Sequence, residues 1–230
     1  MNFRHHPRIW TEYPELAAGA LYARGVRADA GAAPLLAEFE GIARSRLAGI
    51  TESELPEIQA WRRTFSKMGL KPTQYRCASE ALLRRFRKER SMPSFHPMVD
   101  YLNYVSMAYG IPIAAYDSAR IAEGITVRPA DGSETYVTFQ GETEHPEPNE
   151  IVFADEEGNA HSRRWTFRQS ARSVVSPETD RVLIVAEALH PTAHQDLLSL
   201  EQELQAALPE AGVRIEASKH LTPADRRFDF

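Results

Sequence analysis

The chain has 230 residues, a formal net charge of −5 and 43% hydrophobic residues, a composition that allows a globular protein to bury a sizeable core. Its single cysteine, Cys77, excludes an intrachain disulfide, and no Cys/His spacing resembles a zinc site, so we expect neither metal nor cofactor. No apolar run reaches the roughly 18–20 residues that span a bilayer, and the N-terminus lacks the apolar segment of a signal peptide. We therefore expect a cytoplasmic protein without membrane association.

The first half of the chain is predicted to be mainly helical. His5 and His6 are expected in a solvated N-terminal tail. A strand is predicted over residues 16–27, and helical spacing follows over 33–48, 53–68, 78–89 and 97–109. Pro97 suits a first helical position and Gly110 suits the position just past a helix, so the last of these helices has defined ends.

From Gly110 onward the apolar residues follow a period of two. Strands are predicted over residues 111–115, 125–128, 135–139, 151–154, 162–166 and 181–189. Asp131-Gly132 is a tight-turn signal between two of these strands. A helix over 192–208, a strand over 213–217 and a loose tail over 225–230 complete the chain. Helices first and strands second predict an α+β fold, with the helices packed on a mostly antiparallel or mixed sheet region.

The helix over residues 97–109 carries polar groups beside its apolar stripe. Asp100, Asn103 and Ser106 follow one another at intervals of three residues. Short polar side chains are mediocre helix formers, so their presence indicates a purpose other than helix stability. Two interpretations remain open, a buried hydrogen-bond network or the wall of a pocket.

A basic segment over residues 84–90 stands out from the acidic average. It carries five positive charges and one negative charge. One interpretation is a solvated helix end, where cations complement the helix dipole. The other is a surface that contacts RNA phosphates through Arg84, Arg85, Arg87 and Lys88.

The helix and the strand after it match a known motif. Residues 96–105, His-Pro-Met-Val-Asp-Tyr-Leu-Asn-Tyr-Val, precede Gly110-Ile111-Pro112 and Ala115-Tyr116-Asp117. This resembles the P-x-V-D-x-x-N-Y-V…G-x-P…A-[FY]-D core of the B3/B4 domain in the phenylalanyl-tRNA synthetase β subunit. Trp61-Arg62-Arg63, Arg163-Arg164-Trp165 and Arg168-Gln169-Ser170 are similar to free-standing B3/4 domain proteins.

The resemblance implies a B3/B4-like fold and a division of the chain into three parts. Residues 1–14 would form an N-terminal extension, residues 15–190 the B3/4 domain, and residues 191–230 a C-terminal helix and tail packed on that domain. In the synthetase this domain binds the 3′ end of mischarged tRNA and hydrolyses the wrong amino acid from it. The implied function is therefore a trans-editing aminoacyl-tRNA deacylase with the aminoacylated tRNA 3′ end as its partner.

One position departs from the synthetase pattern and opens an alternative. The strand after G-x-P carries a pocket histidine in the bacterial synthetase, whereas this chain has Ala114. The alternative is a non-catalytic module that binds a free amino acid, an aminoacyl group or a tRNA end.

Hydrolysis of an activated ester requires a positioned water and donors to the oxyanion. We expect Asn103 and Ser106 to supply polar groups, and Glu150 to orient water or read the α-amino group. Arg168 is expected to hold a carboxylate or phosphate. The full set of expected substrate contacts is Tyr75, Glu80, Asp100, Asp117, Trp165, Arg168 and Gln169.

Overall fold

The structure is a computed structural model that describes residues 1–29 and 33–230. Within these residues lie six α-helices: α1 (Pro7–Glu12), α2 (Ala33–Arg46), α3 (Pro56–Lys67), α4 (Ala78–Glu89), α5 (Pro97–Tyr109) and α6 (Ala193–Glu210). The strands are β1 (Asn2–His5), β2 (Ala17–Arg24), β3 (Ile113–Asp117), β4 (Gly124–Pro129), β5 (Tyr136–Val137), β6 (Thr143–Glu144), β7 (Ile151–Ala154), β8 (Ala160–Arg163), β9 (Arg168–Gln169), β10 (Arg181–Ala188), β11 (Arg214–Leu221) and β12 (Arg227–Asp229). Helices and mixed sheets together make the fold α+β, as the sequence predicted.

The larger sheet has six strands in the order β12-β1-β4-β7-β8-β9. β1 runs parallel to β4, and the other neighbouring pairs are antiparallel. Two expectations for the chain ends are therefore wrong. His5 does not lie in a solvated tail but sits on β1 and is buried, because alternate residues of this strand face the core. The C-terminal tail is likewise tied down, since β12 pairs with β1.

The smaller sheet has four antiparallel strands in the order β11-β2-β10-β3. Both of its faces are covered. One face packs against α5 and α6 through Leu21, Ala23, Ile184 and Ala186. The other contributes Ala20, Tyr22, Leu183 and Val185 to the core shared with the six-stranded sheet. A strand buried on both faces reads as a continuous apolar run, which explains the composition of β10.

The helix α5 has the ends that the sequence predicts. Pro97 occupies its first turn, and the His96 side chain accepts a hydrogen bond from the Met98 backbone N–H at 3.2 Å. Gly110 follows with φ +70°, the left-handed conformation that closes many helices. This prediction is confirmed, and it places β3 directly after the helix.

One local prediction in the second half is wrong. The strand over 162–166 ends at Arg163, and residues 164–167 form a turn in which Arg164 and Trp165 have φ of 49° and 59°. Asp131-Gly132 lies between two strands, β4 and β5, as predicted, although these strands do not pair with each other: β4 pairs with β7, and β5 pairs with β6. The backbone N–H groups of both turn residues instead donate to the buried Glu134 carboxylate, at 3.2 and 3.1 Å.

Candidate functional site

A cavity of about 70 Å³ lies between the two sheets. Its walls come from three places: β3 and β10 of the smaller sheet, β7 and β8 of the larger sheet, and the 165–169 segment. Ala78, at the start of α4, also lines it. The cavity therefore lies where the strand after the α5 motif meets the end of the six-stranded sheet.

A buried carboxylate, Glu187, forms part of this wall. It lies near the end of β10, and its side chain is 2% exposed. Trp165 Nε1 donates to its Oε2 at 3.0 Å, and His5 Nε2 lies 2.6 Å from its Oε1. Each carboxylate oxygen can accept two hydrogen bonds and has one partner here, so the group retains capacity for a ligand.

The turn over 164–167 is held by Glu150. The Glu150 carboxylate accepts from Arg163 Nε at 2.8 Å, from Arg163 Nη2 at 2.9 Å, and from the Arg164 backbone N–H at 3.1 Å. The Glu150 hydrogen bond is also the main reason that the pKa of Arg163 is raised. The backbone N–H of Trp165 donates to the Ile151 carbonyl at 2.7 Å. These contacts maintain two consecutive left-handed residues and direct the Trp165 ring into the core.

Arg168 presents a cation on the cavity wall. Arg163 and Arg164 both contact Glu150, whereas no described carboxylate lies within ion-pair distance of Arg168. Its neighbour Gln169 donates from Nε2 to the Ala115 carbonyl at 2.8 Å, which joins β9 to the outer edge of β3. The cation is therefore held at the junction of the two sheets and is available to an anion.

Aromatic and cationic side chains lie beside the cavity. Phe167 lines it, and the Tyr75 ring contacts Phe167 edge to face with centroids 5.2 Å apart. The Arg164 guanidinium stands 4.7 Å from the centre of the Tyr75 ring. Such groups suit the stacking of a base.

The deeper wall contains a hydroxyl pair. Tyr116 Oη and Ser162 Oγ are 2.8 Å apart, and both side chains are buried. Burial raises the pKa of the Tyr116 hydroxyl far above its ordinary value, so it remains neutral. Ala114 lies on the same wall and contributes only a methyl group.

The residues expected to act in catalysis lie elsewhere. Ser106 is buried on α5 and donates to the Ile111 carbonyl at 2.6 Å, which braces the turn into β3. Asn103 lies half-buried on the same helix, and Glu150 is engaged by the two arginines. None of the three lines the cavity. The polar flank of α5 therefore contributes to packing and bracing.

The expected substrate contacts divide into two groups. Trp165, Arg168 and Gln169 line the cavity, and Tyr75 stands beside it. The three acidic residues do not line it. Glu80 is buried, with Oε1 2.5 Å from Arg62 Nη1; burial raises the pKa of its carboxyl against the opposing effect of Arg62. Asp100 accepts from the Phe95 N–H, and Asp117 from the Ala119 N–H.

Acidic partners engage most of the basic segment. Glu52, whose side chain is 2% exposed, lies 3.2 Å from Arg84 Nη1 and 2.7 Å from Arg87 Nε. Arg85 pairs with Glu89 at 2.9 Å. Lys88, which extends from α4, is exposed. Much of the charge is thus used within the protein, and the segment binds the Glu52 turn to α4.

Among the described residues, Glu57, His190 and Asp196 hold potential ligand atoms within 4.8 Å of one another. His190 Nε2 is 2.7 Å from Asp196 Oδ2, and Arg46 Nη2 donates to Glu57 Oε2 at 2.7 Å. The arginine already balances one of the two carboxylates, so the group reads as a charge network linking α2, α3 and α6. No helix within residues 1–29 and 33–230 has the length and apolar character needed to cross a bilayer.

The prediction from sequence missed His5 and Glu187. Glu187 had a visible signal, because it is the only charge within the apolar run Val-Leu-Ile-Val-Ala-Glu-Ala-Leu. A charged residue inside a buried strand requires a partner. His5 offered a weaker signal, as it alternates with Phe3 in a segment of only four residues.

Comparison with known proteins defines the class of the fold. An N-terminal fragment of the phenylalanyl-tRNA synthetase β subunit from Pyrococcus horikoshii has the same fold, with a TM-score of 0.50 and 11% sequence identity. The alignment covers 95% of this chain and 53% of that chain. The family model of the B3/4 domain matches residues 60–205, and this chain therefore belongs to the B3/4 domain family.

Curated relatives agree with this assignment. The phenylalanine–tRNA ligase β subunit of Pasteurella multocida (strain Pm70) is 32% identical over 100 residues, which are 44% of this chain and 12% of that protein. The β subunit of Tropheryma whipplei (strain Twist) is 32% identical over 130 residues, 56% of this chain and 13% of that protein. The chain thus matches only a small part of these ligase subunits.

Proposed function

We propose that this protein is a trans-editing deacylase that removes an amino acid from mischarged tRNA. The observation that carries the proposal is the pair of opposite charges, Arg168 and Glu187, on the wall of one small cavity in a B3/4 domain. An aminoacyl-tRNA end carries complementary charges, an α-ammonium group and the phosphates of the RNA backbone. The relatives named as phenylalanine–tRNA ligase subunits support the choice of an aminoacylated tRNA as substrate.

Glu187 is the proposed reader of the α-ammonium group. Its carboxylate is fixed by Trp165 and His5 and has lone pairs to spare. Hydrogen bonds between ionised groups are about twice as strong as neutral ones, so a buried carboxylate gives a firm anchor. This role was expected for Glu150, whose oxygens are engaged by Arg163 and Arg164.

Arg168 is the proposed holder of the RNA end. A guanidinium recognises phosphate oxygens with two parallel N–H donors. The Tyr75 and Phe167 rings beside it offer faces on which the terminal base can stack. The aminoacyl group would then enter the cavity, while the ribose and phosphates remain outside.

Ester cleavage then requires one water molecule. Its oxygen attacks the acyl carbon, the ester C–O bond breaks, the ribose hydroxyl leaves with a proton, and the free amino acid is released. In this proposal Glu187, which lines the cavity and is held by His5, orients that water and accepts its proton. An aminoacyl ester is already activated, so no protein nucleophile is required.

The test offers a panel of mischarged tRNAs to the purified protein and follows release of the amino acid. We expect hydrolysis above the buffer rate for at least one ester, lowered at least about a hundredfold by Arg168→Ala or Glu187→Gln. Arg172→Ala is the matched control, because Arg172 is exposed and does not line the cavity. Buffer-rate hydrolysis of every ester would reject the deacylase.

A second candidate is a binding module for a free amino acid. Ala114 favours it, because the described lining residues include no histidine and this position offers only a methyl group. A free amino acid carries an ammonium and a carboxylate, which also complement Glu187 and Arg168. A ligand that binds only the folded state raises the melting temperature. A rise with free amino acids and no turnover of any ester would favour this candidate.

A further inference from the structure

We infer that the cavity selects amino acids with small side chains and excludes aromatic ones. This inference rests on the proposed function, because it names the substrate class of the same site. The cavity measures about 70 Å³. An engineered apolar cavity that accepts benzene has a volume of about 150 Å³. The space here therefore admits side chains of the size of alanine, serine or threonine, and a phenyl ring is too large for it.

The walls fix this size. Tyr116 and Trp165 are fully buried, and Phe153 is 2% exposed. Tyr116 is held through its hydroxyl by Ser162, and Trp165 through its indole N–H by Glu187. Protein interiors are close-packed, so a ring could enter only by displacing one of these side chains.

The contacts behind Trp165 add to this rigidity. Its ring meets Tyr13 edge to face with centroids 4.8 Å apart, and meets Trp61 at 5.2 Å. Both partners are themselves buried. A larger cavity would therefore require repacking of the core between the sheets, beyond a change of one side-chain rotamer.

Two positions on the wall adjust the volume without reaching that core. Ala114 is half-buried on β3, the edge strand of its sheet, where a longer side chain would occupy the cavity. Phe167 is half-buried in the turn over 164–167, where loss of the ring would enlarge the cavity. Substitutions at Ala114 and Phe167 can therefore make the cavity smaller and larger, respectively.

The experiment measures binding without turnover. The probes are adenosine analogues in which a 3′ amide replaces the ester and carries alanine, serine, threonine, phenylalanine or tyrosine. Calorimetry of the full chain should show that the three small analogues bind at least about tenfold more tightly than the two aromatic ones. Equal or tighter binding of the aromatic analogues, or binding of none, overturns the inference.

Variants link the preference to the cavity. Ala114→Leu should weaken binding of every analogue at least about tenfold. Ala119→Leu, at an exposed position away from the cavity, should leave binding unchanged. Phe167→Ala should reduce the ratio of the dissociation constants of the phenylalanyl and alanyl analogues at least about tenfold. An unchanged ratio in a folded Phe167→Ala protein would also overturn the inference, and the wild-type series decides alone if this variant does not fold.

Failure of this inference is distinguishable from failure of the deacylase. Hydrolysis of tyrosyl or phenylalanyl esters in preference to small ones would overturn the size limit and leave the deacylase standing. Selective binding of the small amides, without hydrolysis of any ester, would support the size limit and reject the deacylase.

Discussion

His5 Nε2 lies 2.6 Å from Glu187 Oε1, and this contact joins β1 of the six-stranded sheet to β10 of the four-stranded sheet. Both side chains are almost completely buried, at 0% and 2% exposure. The contact positions a carboxylate on the cavity wall, and it connects two residues that are 182 positions apart. The first strand of the chain thus supports the candidate site directly.

Replacement of His5 by alanine should lower the free energy of unfolding by about 1–3 kcal/mol, because the buried Glu187 carboxylate would keep Trp165 as its remaining side-chain donor. Urea denaturation measures this change. His6→Asn is the control, since His6 is exposed and asparagine can keep its role as the N-cap of α1. Equal denaturation midpoints for His5→Ala and the wild type would contradict the structural role.

The contrast between α5 and His5 indicates what the sequence could predict. The ends of α5 depend on Pro97 and Gly110, which act within one or two turns of the helix, so they were predictable. The place of His5 depends on pairing between β1 and β4, and a four-residue segment carries too little pattern to reveal a parallel partner more than a hundred residues away. The loose-tail expectation for both chain ends failed for this reason.

The candidate site was predictable only in part. Trp165, Arg168 and Gln169 stood out by their residue types, and all three line the cavity. They reach it through a turn in which Trp165 has positive φ, not along one continuous strand. A non-glycine residue in that conformation is uncommon, so a sequence rule would not have predicted it. Glu187 required knowledge of which strand faces the cavity.

Glu150 should prove to be a structural residue. Glu150→Ala would leave Arg163, with 5% of its side chain exposed, without its bidentate partner and with Glu144 as its remaining carboxylate partner. Removal of one member of a buried ion pair costs about 3–5 kcal/mol when the other charge is left unpaired, and Glu144 offsets part of that cost here, so the melting temperature should fall by less than this full cost implies. The double variant Glu150→Ala/Arg163→Met should lose less stability than the sum of the single changes, because both buried charges are removed together and Glu144, the carboxylate that remains, is partly exposed to water.

A catalytic Glu150 would behave differently. Glu150→Gln would then abolish ester hydrolysis while stability stayed near that of the wild type. We expect the opposite result. Glu150→Gln should lower the melting temperature, and its rate of ester hydrolysis should stay near that of the wild type at a temperature where the variant is folded. Thermal unfolding and initial rates on the same protein sample separate the two roles.

Gly110 and Gly69 form a matched pair for the effect of crowding behind a helix. Both follow a helix with positive φ, +70° and +77°. A Cβ at Gly110 would lie 3.2 Å from Arg46 Nη2 and 3.3 Å from Glu57 Oε2, whereas one at Gly69 would have no neighbour within 4 Å. Gly69→Ala should therefore cost only the conformational strain, about 1–2 kcal/mol.

Gly110→Ala should cost that amount and about 1 kcal/mol more, because the Arg46–Glu57 pair must move to admit the methyl group. The difference between the two denaturation midpoints isolates the crowding. If Gly110→Ala lowers the free energy of unfolding no more than Gly69→Ala does, the Arg46–Glu57 pair moves without cost. The contact that this pair makes between α2 and α3 would then contribute little to stability.

Asp155 should make the protein sensitive to acid. Burial would raise the pKa of its carboxyl, but hydrogen bonds from His161 and Asn159 outweigh burial and hold the pKa well below its usual value. A carboxyl with a lowered folded-state pKa stabilises the protein at pH values above its unfolded pKa, about 3.9. That stabilisation is lost as the pH falls from about 4 toward the folded-state pKa.

Asp155→Asn removes this ionisable group, since the amide of asparagine stays neutral throughout this pH range. At pH 6 the variant should be less stable than the wild type by about 1–3 kcal/mol, because His161 and the Ala122 N–H lose an ionised acceptor. The gap between the two proteins should narrow as the pH is lowered below about 4. Urea denaturation in steps from pH 6 to pH 3 measures the gap, and other carboxyls affect both proteins alike and cancel in the difference. A gap that stays constant across this range would show that Asp155 does not ionise differently in the folded and unfolded chains.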